Sequence, residues 1–226
     1  MHNEVGGSLG TAQNPPLIAP PRYWLRPLAA AAALPELLSA QEQQWCGALP
    51  AAVARRYSAS RRWLRHCLAE HLGCAPMAVP LQSPPGQAPL LLEQAGWISL
   101  SHSRSQLLMA WSAQPIGVDL EWAERPLEPE PLARRFFPAD ECAQLLQLPP
   151  AQRRRAFLES WVRKEAAIKW QADGRLASDL VHWHWDGGAA QLTHGRAGWQ
   201  PQATLCEREG WLCAAVGDAV ERGIWG

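Results

Sequence analysis

Polar and apolar positions along the chain follow two periods. Over IGVDLEW, the apolar residues Ile116, Val118, Leu120 and Trp122 alternate with Gly117, Asp119 and Glu121. That period of two belongs to a strand with one face in a core. Gly96 to Leu100 and Gln106 to Ser112 predict two further strands, with the polar turn Ser101-His102-Ser103-Arg104 between them. The other period is helical. Between Ala54 and Gly73, the residues Trp63, Leu64, Cys67, Leu68, His71 and Leu72 share one stripe. Ser58 or Ser60 is the expected cap of that helix and Gly73 its stop, with Arg61, Arg62 and Arg65 at its start and flank. Leu34 to Cys46, Leu132 to Phe136, Ala139 to Leu148 and Gln152 to Trp170 carry further helical patterns. Pro149 and Pro150 close the third of these. LQSPPGQAP, from Leu81 to Pro89, is loop-forming by its Pro and Gly content. The tail offers strand-like pieces at His182 to Trp185, Ala190 to Thr193 and Leu212 to Val216.

Strands and helices mix without a βαβ rhythm, which predicts an α+β fold. No short-period repeat is visible. Residues 1–20 read as a disordered N-terminus, 21–114 as an N-terminal half and 115–226 as a C-terminal half. The boundary falls where Gln114-Pro115 turns the chain into the alternating strand.

Composition narrows the classes. Lys plus Arg balances Asp plus Glu at 21 each, so a general nucleic-acid binder with a basic excess is not expected. The longest apolar run, Leu28 to Leu34, is closed by Pro35 and is too short to span a bilayer. The first residues lack the pattern of a secretion signal. No two of Cys46, Cys67, Cys74, Cys142, Cys206 and Cys213 are spaced C-x-x-C, which predicts reduced thiols and a cytoplasmic location. The 13 Trp against three Phe have no functional reading beyond core filling.

Three features carry candidate chemistry. Asp119 and Glu121 point to the same strand face, roughly 7 Å apart at about 3.3 Å per residue. They are either two ordinary surface acids or a pair that a hard cation such as Mg²⁺ would neutralise. In the helix AFLESWVRKEAAIKW, Glu165 and Lys169 fall inside the apolar stripe of Leu158, Trp161, Val162 and Ile168. Their heads are expected to meet one turn apart. Glu159, Arg163 and Ala167 already supply a surface face, so the pair reads as a site rather than a surface bridge. Finally, His102 between two serines offers donors to an anion. Arg55, Arg56, Arg61, Arg62 and Arg65 form a basic cluster whose guanidinium forks suit phosphate, Arg61 adding to the field of a helix N-terminus. At least half of these five are expected on a solvated face. His182-x-His184 reads as two surface histidines on a strand or as a metal pair.

The order of SRRWLR, SLSHS, QPIGVDLEW, RRFFPADE and FLESWVRKEAAIKW resembles the Sfp-type 4′-phosphopantetheinyl transferases. The match runs from about Ala54 to Trp170, and G-x-D-x-E combined with W-x-x-K-E-x-x-x-K is its specific part. The resemblance implies two similar α+β halves related by a pseudo-twofold axis, with coenzyme A between them. It implies a monomer that transfers the phosphopantetheine arm to a serine of an apo carrier protein (acyl, polyketide or peptidyl), with no nucleic-acid or membrane partner. By the same resemblance Asp119, Glu121 and Glu165 hold Mg²⁺, Glu165 is the base and Lys169 meets the phosphates. His102 and Arg61 hold the 3′-phosphate beside Ser101, and Lys164 matches a lysine of the family motif with a supporting role in coenzyme A binding. Two positions depart from the family pattern. Gln87 stands where a lysine is common, with Arg55 or Arg56 as candidate compensation, and Arg104 stands where glycine is common. A non-catalytic coenzyme A binder and a Mg²⁺ phosphodiesterase are the competing readings.

Overall fold

The computed structural model describes residues 19–172 and 176–226. The expectation of a disordered N-terminus therefore lies, except for residues 19 and 20, outside the described residues. The strands are β1 (Arg22–Pro27), β2 (Leu81–Gln82), β3 (Leu90–Leu91), β4 (Trp97–Ser103), β5 (Gln106–Ser112), β6 (Ile116–Trp122), β7 (Trp183–Asp186), β8 (Gln191–His194), β9 (Ala203–Arg208), β10 (Trp211–Gly217) and β11 (Ile224–Trp225). The α-helices are α1 (Ala40–Ala48), α2 (Ala51–Leu72), α3 (Pro129–Phe136), α4 (Ala139–Gln147), α5 (Pro150–Gln171) and α6 (Leu176–Asp179). This is the mixed α+β class expected.

Two sheets form the centre, one ordered β11-β1-β5-β4 and the other β6-β10-β9. Strand alternation decides what each face meets. On β5, Leu107 and Met109 pack against Leu64 and Leu68 of α2, while Leu108 and Ala110 turn the other way. There they meet Val118 and Leu120 of β6 and Cys213 and Ala215 of β10. The outer face of β10, with Leu212, Ala214 and Val216, packs on Leu158, Val162 and Ala166 of α5. The layers thus run helix, sheet, sheet, helix. The last strand, β11, returns to pair in parallel with β1. Trp170, Trp183 and Trp199 group with His194 beyond the end of α5, which accounts for part of the tryptophan excess.

Several local expectations are corrected. Helix α2 starts after Pro50, so Ser58 and Ser60 are interior and cap nothing, and Arg61 is mid-helix, remote from the N-terminal dipole. Gly73 does stop the helix, in the left-handed region at φ 66°. The helix expected from Leu34 starts at Ala40, where Ser39 and Glu42 form a capping box. Ser101, His102 and Ser103 belong to β4, and the turn is only Arg104 and Ser105. Arg104 itself adopts φ 51°, the conformation glycine would take, and its guanidinium lies 3.7 Å over the Trp122 ring. Strands β1 and β9 were not expected at all. Ala167, read as a surface position, is fully buried because α5 packs on several elements at once.

Candidate active site

Strand β6 turns Ile116, Val118 and Leu120 into the layer between the sheets. Gly117, Asp119 and Glu121 therefore face α5. The approach is close at Gly117, where an added Cβ would stand 2.0 Å from the Ala166 carbonyl oxygen and 2.3 Å from the Trp170 nitrogen. Glycine at this point lets α5 lie near enough for Lys169 to reach the strand. Lys169 Nζ donates to Asp119 Oδ1 at 2.7 Å. The expected Glu165–Lys169 contact is thus corrected, since the lysine's ion pair is with Asp119. Glu165 shares the cleft. Burial first, and then the neighbouring Asp119 carboxylate, hold its carboxyl well above the usual carboxylate range. Burial and Asp119 also push Glu121 upward, against the pull of Arg125.

The edge strand β4 faces this cluster with every second residue. Ser99 Oγ accepts from the Val118 N–H at 3.0 Å, Ser101 Oγ donates to Asp119 Oδ1 at 2.7 Å and Ser103 Oγ donates to Glu121 Oε2 at 3.0 Å. Arg125 pairs with the other oxygen of Glu121. Ser103 and Arg125 went unnoticed in the sequence. The alternation of serines in SLSHS was the available signal for the first; the second had none, since Glu121 lies on a strand and the turn after it brings Arg125 back.

His102 points to the opposite face of β4. Burial and the charges of Arg56, Arg61 and Lys169 push its imidazole down to about 4, so it is neutral at physiological pH. Arg61 is buried with its guanidinium 4.3 Å over the Tyr57 ring, and it donates to Ser60 Oγ at 3.2 Å and to the Ser83 carbonyl at 3.4 Å. Arg61 Nε, Ser83 Oγ and His102 Nε2 are buried without hydrogen-bond partners. Such orphaned polar atoms beside a guanidinium suit an anion. Arg56 is exposed and lines, with Arg55, Arg62 and Arg104, a cleft of about 900 Å³ floored by alanines of α2 and the turn at 28–33. Gln87 lies exposed on the β2–β3 hairpin that also carries Ser83.

The structure brings Asp119, Glu121, Glu165, Lys169 and Ser101 together, with His102, Arg56 and Arg61 in electrostatic reach. It does not bring in Lys164. That side chain is fully buried on another side of α5, 2.7 Å from Glu141 of α4 and 3.6 Å above the Phe137 ring. Of the other arginines, Arg65 forms a buried ion pair with Glu42, and Arg62 pairs with the exposed Glu36. His184 pairs with Asp140 at 3.2 Å, and His182 lies in the turn before β7 rather than on the strand.

As the side chains stand, the three carboxylates are not a ready-made ligand set among the described residues, because Asp119 is turned to Lys169 and Glu121 to Arg125. The donor chemistry nevertheless fits a hard divalent cation. Asp119 Oδ2 is buried and unpartnered, and Glu165 resists ionisation beside it. Added positive charge would relieve both.

Comparison with known proteins bears on this cluster. The family model described as the 4′-phosphopantetheinyl transferase superfamily matches residues 115–216. The chain is 35% identical over 125 residues to the 4′-phosphopantetheinyl transferase HetI of Nostoc sp., covering 53% of each. It is 35% identical over 92 residues to the 4′-phosphopantetheinyl transferase Sfp of Bacillus subtilis, covering 39% of this chain and 40% of that one. The chain thus spans about half the length, or less, of the curated relatives it matches.

Proposed function

Residues 115–216 belong to the 4′-phosphopantetheinyl transferase superfamily, and on that premise we propose that the chain transfers the 4′-phosphopantetheine group of coenzyme A to a serine of an apo carrier protein. Adenosine 3′,5′-bisphosphate is the other product. The observation that carries this reading is the convergence of Asp119, Glu121 and Glu165 from β6 and α5 with Lys169 among them.

The reaction joins the serine oxygen to the phosphorus that bears the pantetheine arm and breaks that phosphorus's bond to the bridging oxygen, which leaves on the nucleotide's 5′-phosphate. Asp119, Glu121 and Glu165 would hold Mg²⁺, which when bound supplies positive charge to the phosphoryl oxygens. Glu165 takes the serine proton once added positive charge beside it has restored its carboxylate form. Lys169, whose ammonium now rests on Asp119, balances charge on the leaving phosphate. Ser101 and Ser103 hold the two β6 carboxylates in place. Arg61 and His102, with their unpartnered nitrogens, receive the 3′-phosphate, and Arg56 adds charge where Gln87 has none. Lys164 acts indirectly, by fastening α5 to α4 through Glu141.

On the same reading residues 21–114 and 115–226 are similar halves about a pseudo-twofold axis, with a long helix packed on a sheet in each, and the chain acts as a monomer. No helix among the described residues is long and apolar enough to cross a membrane. The proposed enzyme is cytoplasmic and serves fatty-acid, polyketide or peptide-synthetase carriers.

The test is the intact mass of apo carriers from fatty-acid and peptide-synthetase systems after incubation with coenzyme A and Mg²⁺. A gain of one phosphopantetheine, lost with EDTA and with Glu165→Ala, is expected. Coenzyme A binding without any gain on these carriers would replace this reading with that of a non-catalytic coenzyme A binder.

A further inference from the structure

The hairpin β9–β10 sets two cysteines directly opposite each other. Its loop is only Glu209 and Gly210, both in the left-handed region at φ 52° and 79°, and it makes Arg208 and Trp211 the closing pair. Counting back from that pair, Glu207 faces Leu212 and Cys206 faces Cys213. Hydrogen-bonded and open pairs alternate along an antiparallel ladder. Cys206 and Cys213 are therefore a hydrogen-bonded pair, with Cα atoms about 5.5 Å apart. That separation lies inside the range a disulfide spans, about 4.4–6.8 Å.

Their surroundings differ. Cys213 is buried in the layer between the sheets, whereas Cys206 is half-buried on β9, an edge strand. Both thiols border a cavity of about 150 Å³ that also touches Tyr23, Val220 and Trp225. The sulfurs have room to move within it. The guanidinium of Arg208, two residues from Cys206, lies 4.0 Å over the Trp225 ring at the same place. The Cys213 thiol donates to the Trp211 carbonyl at 3.8 Å. The neighbouring Cys213, together with Arg208, draws the Cys206 thiol below its ordinary range in spite of burial. The neighbouring Cys206, and then burial, push Cys213 upward. One sulfur is thus prepared to attack and the other keeps its proton. Nothing in the proposed transfer chemistry uses either of them.

We propose that Cys206 and Cys213 are a thiol–disulfide couple that reacts with small disulfides such as oxidised glutathione, Cys206 attacking and Cys213 resolving. In the first step the Cys206 thiolate attacks one sulfur of the small disulfide. The sulfur–sulfur bond breaks, a mixed disulfide forms on Cys206, and one small thiolate leaves and takes up the Cys206 proton. In the second step Cys213 loses its proton and attacks the Cys206 sulfur. The protein disulfide forms, and the second small thiolate leaves with that proton. The two cysteines are oxidised by two electrons and the small disulfide is reduced to two thiols. The cross-link would staple the edge strand to β10, whose Ala214 is the register partner of Asp119.

The test uses the full reduced chain in native buffer with oxidised glutathione, followed by alkylation and peptide mapping. Cleavage at Arg208 separates the two cysteines, so a linked pair of peptides reports the bond. The expected result is a Cys206–Cys213 link forming roughly tenfold faster than any modification of the half-buried Cys46 or Cys74. In Cys213→Ser, glutathione stays on Cys206, and in Cys206→Ser, Cys213 stays unmodified. The wild-type comparison in native buffer and in urea needs no variant, and the selectivity for this pair should vanish on unfolding. Stable glutathione on wild-type Cys206 without a link, a link to another cysteine, or equal selectivity in urea would each overturn the proposal.

Discussion

At the residue scale, the proposed function rests on Asp119, Glu121 and Glu165, carboxylates gathered in one cleft where burial and mutual repulsion hold Glu121 and Glu165 towards their neutral form. Asp119→Ala removes one of three candidate cation ligands together with the anchor of Lys169. Transfer is expected to fall at least about 100-fold, the scale of losing a group that organises developing charge. The fold should persist, because Lys169 is still partly exposed and Glu165 then loses the neighbour that helps to raise its carboxyl. Intact mass of the carrier and circular dichroism of the variant check both halves of this expectation. His102 gives a pH signature. Its folded value of about 4 lies below the ordinary 6.5, so the unfolded chain binds more protons between these values. Stability from this group is complete above the ordinary value and is lost as pH falls towards the folded one, by up to about 3 kcal/mol. Urea unfolding between these pH values should show the loss, and His102→Gln should flatten it.

At the element scale, α5 has to lie unusually close to β6 and stay there. Gly117→Ala would drive a methyl into the Ala166 carbonyl and the Trp170 nitrogen, both backbone atoms with nowhere to go. A loss of about 3 kcal/mol or more is expected from this overpacking, with transfer activity falling as α5 moves off the strand. Urea melts and carrier loading measure the two effects. The second fastening is Lys164 to Glu141, where burial brings the lysine down to about 8 even beside the carboxylate. Lys164→Met leaves Glu141 buried without its cation and should cost about 3–5 kcal/mol, whereas Lys164→Met with Glu141→Leu should recover most of it. A double-mutant cycle by urea unfolding decides this. Near-additive losses would mean that the pair does not act as a unit. Both Gly117 and Lys164 were visible in the sequence within G-x-D-x-E and W-x-x-K-E, and helical periodicity sets Lys164 and Glu165 on different sides, yet nothing there said that Lys164 would meet Glu141.

At the scale of the whole molecule, the two sheets share one apolar layer and the last strand belongs to the first sheet. Tyr23 of β1 donates its hydroxyl to the Val220 carbonyl at 3.1 Å, and β11 pairs with β1. Removing residues 219–226 takes Val220 and Trp225 out of that layer. Fully burying such a side chain is worth about 1.5–3 kcal/mol, and of the two Val220 is buried and Trp225 partly so. The truncated chain should therefore unfold at clearly lower urea. The full chain should unfold in one transition seen alike by tryptophan fluorescence and circular dichroism, and two separated transitions would contradict the shared layer.

Local periodicity by itself determined that Ile116–Trp122 is a strand with its acids on one face, that the long α2 and α5 segments are helices, and that the chain mixes both kinds of element. These features depend on repeats of two and 3.6 residues, which neighbours in sequence are enough to express. Only tertiary structure decided which side chains share the cleft. Lys169 answers Asp119 across 50 residues rather than Glu165 one turn away, and the serines of β4 reach β6 across 18. Short β1 and β9 also exist by virtue of their sheet partners, since an isolated strand of six residues has little hold on its own conformation. Arg61 shows the same division, because its residue type marked it as a phosphate ligand while its depth in α2, beside Tyr57 and Ser83, came from packing that no spacing in the sequence encodes.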